Sequence, residues 1–433
     1  MTPRTTAIRG GRVVCPRAGV DEIRDLFIQD GRVVARPDVA PERVVDARGL
    51  LVMPGAVDLA CHLRDPGDVD VEPLARTLSR ALAGGYTTLL ALPDTDPVVD
   101  RAVVVEDLRA RAQKIGGPDV RVMGALTVGM EGKELADLGE MRAAGAVAFG
   151  DVPRAPSLGV LRRALEYAGS LGAPVFAFGA HPSLEDNGLI AEGAVSTRLG
   201  LAGVPVEAET TAVFARAELA RLTGTTLFVG LLSSARAREL VVDARERGAA
   251  IFAGVLPWHL RLDERDHLVR PYDTRLLLDP PLRSSADRLS LVEGVARREL
   301  VVATGHVQRS PVEKEVEMGL AERGAPALDV ALPLLLDPSS QLSPLAVARA
   351  ACEQPARVLG LDDRGHLSPG ARADVVVVDP SGSFVIDDDQ SPLSRRTSPL
   401  AGVTLGARVV MTLVEGALCF DARSGDEAAR DRR

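Results

Sequence analysis

Six histidines, at positions 62, 181, 259, 267, 306 and 366, are the imidazole side chains of this 433-residue chain. A catalytic zinc site typically uses about three protein ligands and leaves one position open for water. Four possible donors, His62, Asp151, His181 and His306, follow short apolar runs. Together they could hold one ion, although a histidine in such a place is more often a hydrogen-bonded structural residue. We treat these four as residual metal candidates.

Hydrolysis at a metal also needs a carboxylate that takes a proton from the metal-bound water. The last apolar run ends in "ATGH", which places Gly305 directly before His306. A glycine can neither bind a metal through its side chain nor accept a proton. The residues of this run therefore argue against ordinary metal-dependent hydrolysis.

The elements that must position these side chains lie between residues 54 and 360, where apolar runs alternate with amphipathic stretches. The eight runs are "AVDLAC", "YTTLLALP", "VRVMGALT", "AVAFGD", "PVFAFGA", "TLFVGLL", "AIFAGV" and "LVVATGH". This pattern predicts an α/β fold, a (β/α)8 barrel with its chemistry at the carboxyl ends of the strands. An open doubly wound sheet is the alternative, which the even spacing and the absence of GxGxxG make less favoured.

Both ends of the chain have a different, β-rich pattern. Asp-Gly pairs flanked by valines favour hairpins near the amino terminus, and "ADVVVVDP" and "ARVVMTLVEGALCFD" resume this style near the carboxyl terminus. We predict a composite β-sandwich from residues 1–53 and 361–433, enclosing a barrel of residues 54–360.

Composition excludes several classes of partner. The formal net charge of -9 offers no excess positive field for nucleic acid or an anionic membrane. No apolar run approaches the ~18 residues of a membrane span. The four cysteines, at positions 15, 61, 352 and 419, lack CxxC spacing, which favours a reduced compartment. We therefore expect a cytoplasmic protein with no nucleic-acid or membrane partner.

The chain resembles the dihydroorotase branch of the amidohydrolase superfamily along nearly its whole length. The resemblance rests on "PGAVDLACHLRDPG", "ALPDTDPVVD", "LGEMRAAGAVAFGD", "DPPLRSSADRLSLVEGV", "ATGH", "PARVLGL" and "GARADVVVVDP". It implies a barrel of the metal-dependent-hydrolase type with a small sandwich formed by both termini.

Active members of that family place two metals on a His-x-His pair, a carboxylate after strand four, histidines after strands five and six, and an aspartate after strand eight. The resemblance puts Ala60, Phe178, Leu231 and Gly305 at four of these positions. It retains His62 and Asp151. Side chains without lone pairs cannot bind zinc and would fill the site with apolar packing. We therefore expect no catalytic residues and no cofactor, with zinc only in an active divergent enzyme.

The substrate-binding positions give a mixed pattern. Arg64 matches the arginine that holds the substrate carboxylate in the family, or is a structural residue of the "RDPG" turn. Asp96 and Asp279 are matched to asparagines that assist it. An added carboxylate repels an anionic substrate by ~1 kcal/mol or more. The resemblance therefore implies at most a vestigial substrate site.

Three functions follow as hypotheses. The leading one is a pseudoenzyme: a catalytically inactive dihydroorotase-like subunit that scaffolds aspartate carbamoyltransferase catalytic chains in pyrimidine biosynthesis, within a homo- and hetero-oligomer. The alternative is an active divergent dihydroorotase or cyclic amidohydrolase with a reduced, single-metal site. The third is a binding module in which Arg64 grips a carboxylate ligand.

Overall fold

The computed structural model describes residues 5–386 and 397–423. Its strands within these ranges are β1 (Thr5–Cys15), β2 (Val20–Gln29), β3 (Arg32–Val34), β4 (Arg43–Asp46), β5 (Leu51–Pro54), β6 (Ala56–Cys61), β7 (Tyr86–Ala91), β8 (Asp119–Gly124), β9 (Ala146–Asp151), β10 (Val175–Ala177), β11 (Ile190–Ala191), β12 (Gly203–Val204), β13 (Leu227–Leu231), β14 (Ile251–Val255), β15 (Val301–Val302), β16 (Val375–Asp379), β17 (Phe384–Val385), β18 (Thr404–Leu405), β19 (Arg408–Val414) and β20 (Ala417–Asp421).

The α-helices of the same ranges are α1 (Leu74–Ala83), α2 (Ala102–Ile115), α3 (Leu138–Ala144), α4 (Leu158–Ser170), α5 (Pro182–Glu185), α6 (Ala194–Leu199), α7 (Val206–Thr223), α8 (Ala235–Glu246), α9 (Asp266–Val269), α10 (Ser285–Ala296), α11 (Pro311–Lys314), α12 (Ala331–Leu336), α13 (Pro344–Ala348) and α14 (Gln354–Val358). None of these helices is both long and apolar enough to cross a membrane.

Eight parallel strands form the barrel, in the order β6-β7-β8-β9-β10-β13-β14-β15. A bridge between Cys61 and His306 joins its first and last strands, and the His62 amide donates to the His306 carbonyl oxygen at 2.9 Å. Seven of these strands fall within the predicted apolar runs, and β8 begins one residue before its run, at Asp119. The predicted (β/α)8 barrel is therefore confirmed.

Amphipathic helices cover the outside of the barrel. In α1 the side chains Leu74, Leu78 and Ala81 are buried, on one face at helical spacing. The helix ends at Gly84, where a Cβ atom would lie 1.8 Å from the Leu328 carbonyl oxygen. Only glycine allows this close approach, which explains the Gly-Gly stop between α1 and β7.

Strands from both ends of the chain share a second sheet, in the order β20-β19-β16-β5-β1-β2-β3 with β4 beside β1. β16 pairs with β5, and β5 leads directly into the first barrel strand. The predicted β-structure from both termini is thus present beside the barrel. The boundaries at residues 53 and 361 stay a prediction, and residues 1–4, 387–396 and 424–433 of the predicted sandwich lie outside the described residues.

Candidate active site

A cavity of about 670 Å³ opens at the carboxyl ends of the barrel strands. In barrels of this kind, the loops that follow the strands line such a cavity and carry the chemistry. The cavity wall includes His62 after β6, Arg154 after β9, Asp279 after β14, and Arg309 and Arg323 after β15. The segments that follow four different barrel strands therefore contribute polar groups to one site.

His62 and Asp94 form the best-defined polar pair at this cavity. The Nδ1–H of His62 donates to Asp94 Oδ2 at 2.6 Å, and about a quarter of the histidine side chain is exposed. Although burial raises the pKa of Asp94, its interactions with the neighbouring His62 and Arg64 side chains hold that pKa below its ordinary value. Asp94 therefore orients the ring as a carboxylate, and the Nε2 atom of His62 remains for other contacts.

The four residues at the family's metal positions, Ala60, Phe178, Leu231 and Gly305, all line this cavity and are here called the apolar patch. The Phe178 ring centroid is 6.1 Å from that of Phe176, in the barrel interior. The patch is thus continuous with the hydrophobic core of the barrel. Its side chains pack and offer no ligand atoms.

Gly305 also excludes the missing aspartate on steric grounds. Its φ is +55°, and a Cβ atom there would lie 2.3 Å from Leu256 Cδ2. A side chain at this position would be strained and would have to displace a buried leucine. The Leu256 side chain therefore occupies the space that a side chain at position 305 would need.

Asp151 faces away from the cavity. Its Oδ1 accepts hydrogen bonds from the backbone N–H groups of Leu126 and Thr127 at 2.8 and 3.1 Å, and its Oδ2 accepts from Thr127 Oγ1 at 2.5 Å. Burial raises the pKa of this carboxyl, although these hydrogen bonds oppose the shift. Asp151 thus fixes the loop after β8.

His306 is fully buried and has partners on both ring nitrogens. Its Nε2–H donates to Glu72 Oε2 at 2.9 Å, and its Nδ1 accepts from the backbone N–H groups of Ala327 and Leu328 at 3.0 and 3.3 Å. These contacts tie the last barrel strand to the segments around it. His306 therefore has a structural role.

The other histidines do not line the cavity wall. His181 Nδ1 lies 2.9 Å from Ser183 Oγ at the start of α5. Burial lowers the pKa of both His259 and His267 to about 4, which keeps these rings neutral. Among the described histidines, His62 is the one that lines the cavity.

Arg64 and Asp96, two predicted substrate contacts, have other surroundings. The Arg64 guanidinium donates to Asp68 and, at 3.3 Å, to Glu313, and Arg64 is absent from the cavity wall. Asp96 is exposed, and its backbone N–H donates to the Pro66 carbonyl oxygen. The aspartate of this loop that reaches the cavity region is Asp94, which the sequence comparison missed by two positions.

Asp279, the third predicted substrate contact, does line the cavity. Burial raises its pKa above the ordinary value, and the nearby Glu185 adds to this shift. The neighbouring Arg323, Arg154 and His62 side chains oppose it. Asp279 is therefore more easily protonated than an exposed aspartate, which reduces the repulsion that an anionic ligand would meet.

Three loops bring together Arg154, Glu185 and Arg323, here called the Arg–Glu–Arg cluster. The Nε and Nη2 atoms of Arg154 both lie 3.0 Å from Glu185 Oε2, and Arg323 Nη1 lies 3.7 Å from Glu185 Oε1. The side chains follow β9, β10 and β15, so no local sequence spacing links them. Their common position after barrel strands was the signal that could have found them.

Metal-binding capacity follows from the donors present. Within residues 5–386 and 397–423, no group of three or more His, Cys, Asp or Glu side chains is arranged to hold a metal ion. Of the residual candidates, Asp151 and His306 are engaged in the hydrogen bonds described above, and His181 lies off the cavity wall. His62 is the one imidazole donor available in the described cavity.

An eight-stranded α/β barrel with a polar cavity at the carboxyl ends of its strands, joined to a sheet built from both termini, defines a barrel of the amidohydrolase type. Family models agree: one described as dihydro-orotase-like matches residues 49–237, and one described as the amidohydrolase family matches residues 293–419. Dihydroorotases from Anaeromyxobacter dehalogenans and Pelotomaculum thermopropionicum are 39% and 38% identical to the chain. The alignments cover 97% and 96% of this chain and 98% of each relative. The chain belongs to the dihydroorotase-like family.

Solved structures support the fold. An L-hydantoinase (dihydropyrimidinase) from Arthrobacter aurescens superposes with a TM-score of 0.83 at 24% identity, covering 96% of both chains. A dihydropyrimidinase from Brevibacillus agri superposes with a TM-score of 0.80 at 20% identity, covering 96% of this chain and 95% of that one. These likenesses extend over the barrel and the terminal sheet.

The relatives correct the prediction of a catalytically inactive scaffold subunit. Proteins 35–39% identical over nearly the full chain are named dihydroorotase, which points to an active enzyme, so the pseudoenzyme interpretation is wrong. The prediction assumed that losing four donor positions removes all chemistry. The cavity instead retains His62, supported by Asp94, together with Asp279.

The prediction that no cofactor is involved is wrong as well, because dihydroorotases and hydantoinases of the amidohydrolase family are typically zinc-dependent. The donors of this chain nevertheless do not fit the family's two-metal centre. The apolar patch occupies four of its positions, and no described cluster of three donors replaces them. The chemistry available at this cavity is therefore that of the chain's own side chains.

Proposed function

We propose that this chain catalyses the reversible hydrolysis of a cyclic amide, with dihydroorotate as substrate and N-carbamoyl-aspartate as the ring-opened product. The similarity to dihydroorotases over 95–97% of the chain supports the reaction class. The observation that carries the proposal is the His62–Asp94 pair at the cavity, because it supplies a positioned proton acceptor where the barrel does its chemistry.

Ring opening requires water to add to the ring carbonyl carbon and the ring nitrogen to leave with a proton. With Nδ1–H held by Asp94, neutral His62 presents the lone pair of Nε2 and can accept the proton of the attacking water. When the C–N bond breaks, the same nitrogen returns the proton to the leaving nitrogen. Ring closure follows the reverse sequence, in which His62 Nε2 again accepts and returns one proton.

The remaining cavity surface suits both the uncharged ring of the substrate and its carboxylate. The apolar patch offers hydrocarbon to the faces of an uncharged ring, whereas charged side chains of the loops lie on the same cavity. Backbone carbonyl oxygens of the β10 loop are held by Arg216, which donates to Gly179 O at 2.7 Å and to Phe178 O at 3.0 Å. The wall that carries Phe178 is thereby fixed.

The direct test is turnover by the purified full-length chain, measured in both directions by chromatographic separation of dihydroorotate and N-carbamoyl-aspartate. Parallel reactions with added zinc and with a chelator read the metal requirement from the same experiment. We expect turnover in at least one arm, and a fall of about 10²-fold or more in His62→Ala. No turnover in either arm would overturn the proposal.

A matched control separates loss of a proton acceptor from general damage. His181→Ala removes a partly exposed histidine that bonds Ser183 and lies off the cavity wall. We expect this variant to retain wild-type turnover. Equal losses in His62→Ala and His181→Ala would show that the assay reports stability rather than chemistry.

We also propose association with aspartate carbamoyltransferase catalytic chains in a hetero-oligomer, a partner supported only by the sequence resemblance. Co-expression followed by size-exclusion chromatography tests it. A shared peak is the expected result, and two independent peaks would overturn this partner.

A further inference from the structure

An anionic cyclic amide needs a cation in the cavity, and Arg64 is poorly placed to provide it. Its Nη2 is engaged by the carboxylates of Asp68 and Glu313, and although its buried Nε has no hydrogen-bond partner in the described structure, its side chain is absent from the cavity wall. A substrate carboxylate would have to displace one of these partners. A cation that binds the substrate carboxylate would therefore have to come from another part of the cavity wall.

Most other arginines on the cavity wall have their donors committed. Arg216 and Arg283 donate to backbone carbonyl oxygens, and Arg283 also donates to Ser233. Arg309 donates to the Arg323 carbonyl oxygen at 2.9 Å and to Glu313 at 2.9 Å. These three side chains therefore fix loops, and a ligand would have to break their hydrogen bonds.

Arg323 differs from them. Its Nη2 donates to the Gly188 carbonyl oxygen, but its Nη1 has no hydrogen-bond partner in the described structure. The Glu185 carboxylate, 3.7 Å from that nitrogen, is already bound by two nitrogens of Arg154. Two guanidinium groups thus share the one carboxylate of the Arg–Glu–Arg cluster, and the next carboxyl group beside them on the cavity wall is the buried Asp279.

We propose that the Arg–Glu–Arg cluster is the carboxylate-recognition subsite of this cavity and that Arg323 is its specificity-determining residue. The proposal rests on the proposed function and adds to it the group that selects anionic over neutral cyclic amides. An entering carboxylate would move the Arg323 side chain slightly and accept from Nη1, giving the unpaired donor a charged partner. Arg154 would neutralise Glu185 and so prevent it from repelling the ligand.

The test compares ligand pairs that differ by one carboxylate. N-carbamoyl-L-aspartate is compared with N-carbamoyl-β-alanine by calorimetry, and dihydroorotate with dihydrouracil by turnover. We expect the wild-type chain to prefer the member with the additional carboxylate at least tenfold in each pair, and Arg323→Met to reduce that preference to near unity by weakening that member alone. Arg323→Lys should restore part of the preference.

Two further variants keep the test decisive. Arg221→Met removes an exposed arginine that pairs with Glu218 at 2.8 Å, and it should leave the preference unchanged. Arg154→Met, at a half-exposed position, should weaken the anionic ligand as well and serves if Arg323→Met fails to fold. A retained preference in folded Arg323→Met, or an equal loss of both ligands, overturns the inference.

The outcomes distinguish this inference from the proposed function. Binding that prefers the anion and depends on Arg323, without turnover, would overturn only the proposed reaction. Turnover of dihydroorotate with an unaltered preference in Arg323→Met would overturn only the subsite.

Discussion

The apolar patch and the polar wall of the cavity share one barrel mouth but serve different demands. Where family members place metal ligands, this chain has Ala60, Phe178, Leu231 and Gly305, which continue the hydrophobic core. The wall keeps the His62–Asp94 pair and an Arg–Glu–Arg cluster. The absence of metal-binding residues from one part of a site therefore does not establish the loss of the whole site.

The largest expected effect on stability comes from truncating the patch. Phe178→Ala would remove a ring packed beside Phe176 and Phe228 and should lower the free energy of unfolding by about 3 kcal/mol. Phe214→Ala is the control, since its side chain on α7 is 55% exposed and should change stability by ~0.5 kcal/mol or less. Chemical denaturation of both variants measures the difference. Equal losses would show that the patch is not part of the core.

A smaller effect is expected at Gly305, because both φ and space are restrictive. Gly305→Ala should cost about 2 kcal/mol, combining left-handed backbone strain with displacement of Leu256. Gly172→Ala has a similar φ of +64° but open space around its Cβ position, so it should cost about 1 kcal/mol from strain alone. Thermal unfolding of the pair isolates the steric part. A larger loss of stability in Gly172→Ala than in Gly305→Ala would contradict the steric role of Leu256.

On the polar wall, Asp94→Asn tests whether the carboxylate orients His62. The amide cannot stabilise the positively charged ring that forms during proton transfer, so kcat should fall about tenfold, with KM nearly unchanged. The steady-state parameters of Asp94→Asn measure this. A rise in KM alone would assign Asp94 to ligand binding instead.

The smallest expected effect is a pH dependence at Asp279. Burial raises the pKa of this carboxyl, so lowering the pH toward that pKa neutralises it and removes a charge that repels an anionic ligand. The Kd of N-carbamoyl-L-aspartate should therefore decrease as the pH falls. His62, Glu185, Arg154 and Arg323 face the same group.

Asp279→Asn tests the contribution of Asp279 to that profile. It should bind the ligand more tightly at neutral pH and show a flatter profile. Calorimetric titrations across the pH range provide the measurement. An identical profile in wild type and Asp279→Asn would contradict the assignment of the pH dependence to Asp279.

Sequence patterns predicted the barrel well because buried parallel strands are continuous apolar runs, and all eight runs contain barrel strands. The apolar patch followed from the family resemblance, since its residues come directly after those runs. Asp94 was missed because "PDTDP" contains two aspartates, and only the backbone path shows which one reaches His62. Arg154, Glu185 and Arg323 could not be linked by spacing, because tertiary structure alone brings their three loops together.

The inactive interpretation failed for a physical reason that the structure makes visible. That prediction rested on the absence of donor atoms at the expected metal-ligand positions, and it considered each of the remaining polar residues separately. The pair at His62 joins the ends of two neighbouring strands, and the arginine cluster joins three loops. Chemistry of this kind is a property of side-chain arrangement, which single positions do not reveal.

The most direct test of the division between patch and wall measures kcat and Tm on His62→Ala and Phe178→Leu in parallel. We expect His62→Ala to lose about 10²-fold in kcat with a Tm change of about 4 °C or less. Phe178→Leu should keep kcat within about threefold of wild type while lowering Tm, because it removes packing but no proton acceptor. Wild-type turnover in His62→Ala, or a comparable loss of kcat in Phe178→Leu, would contradict this division.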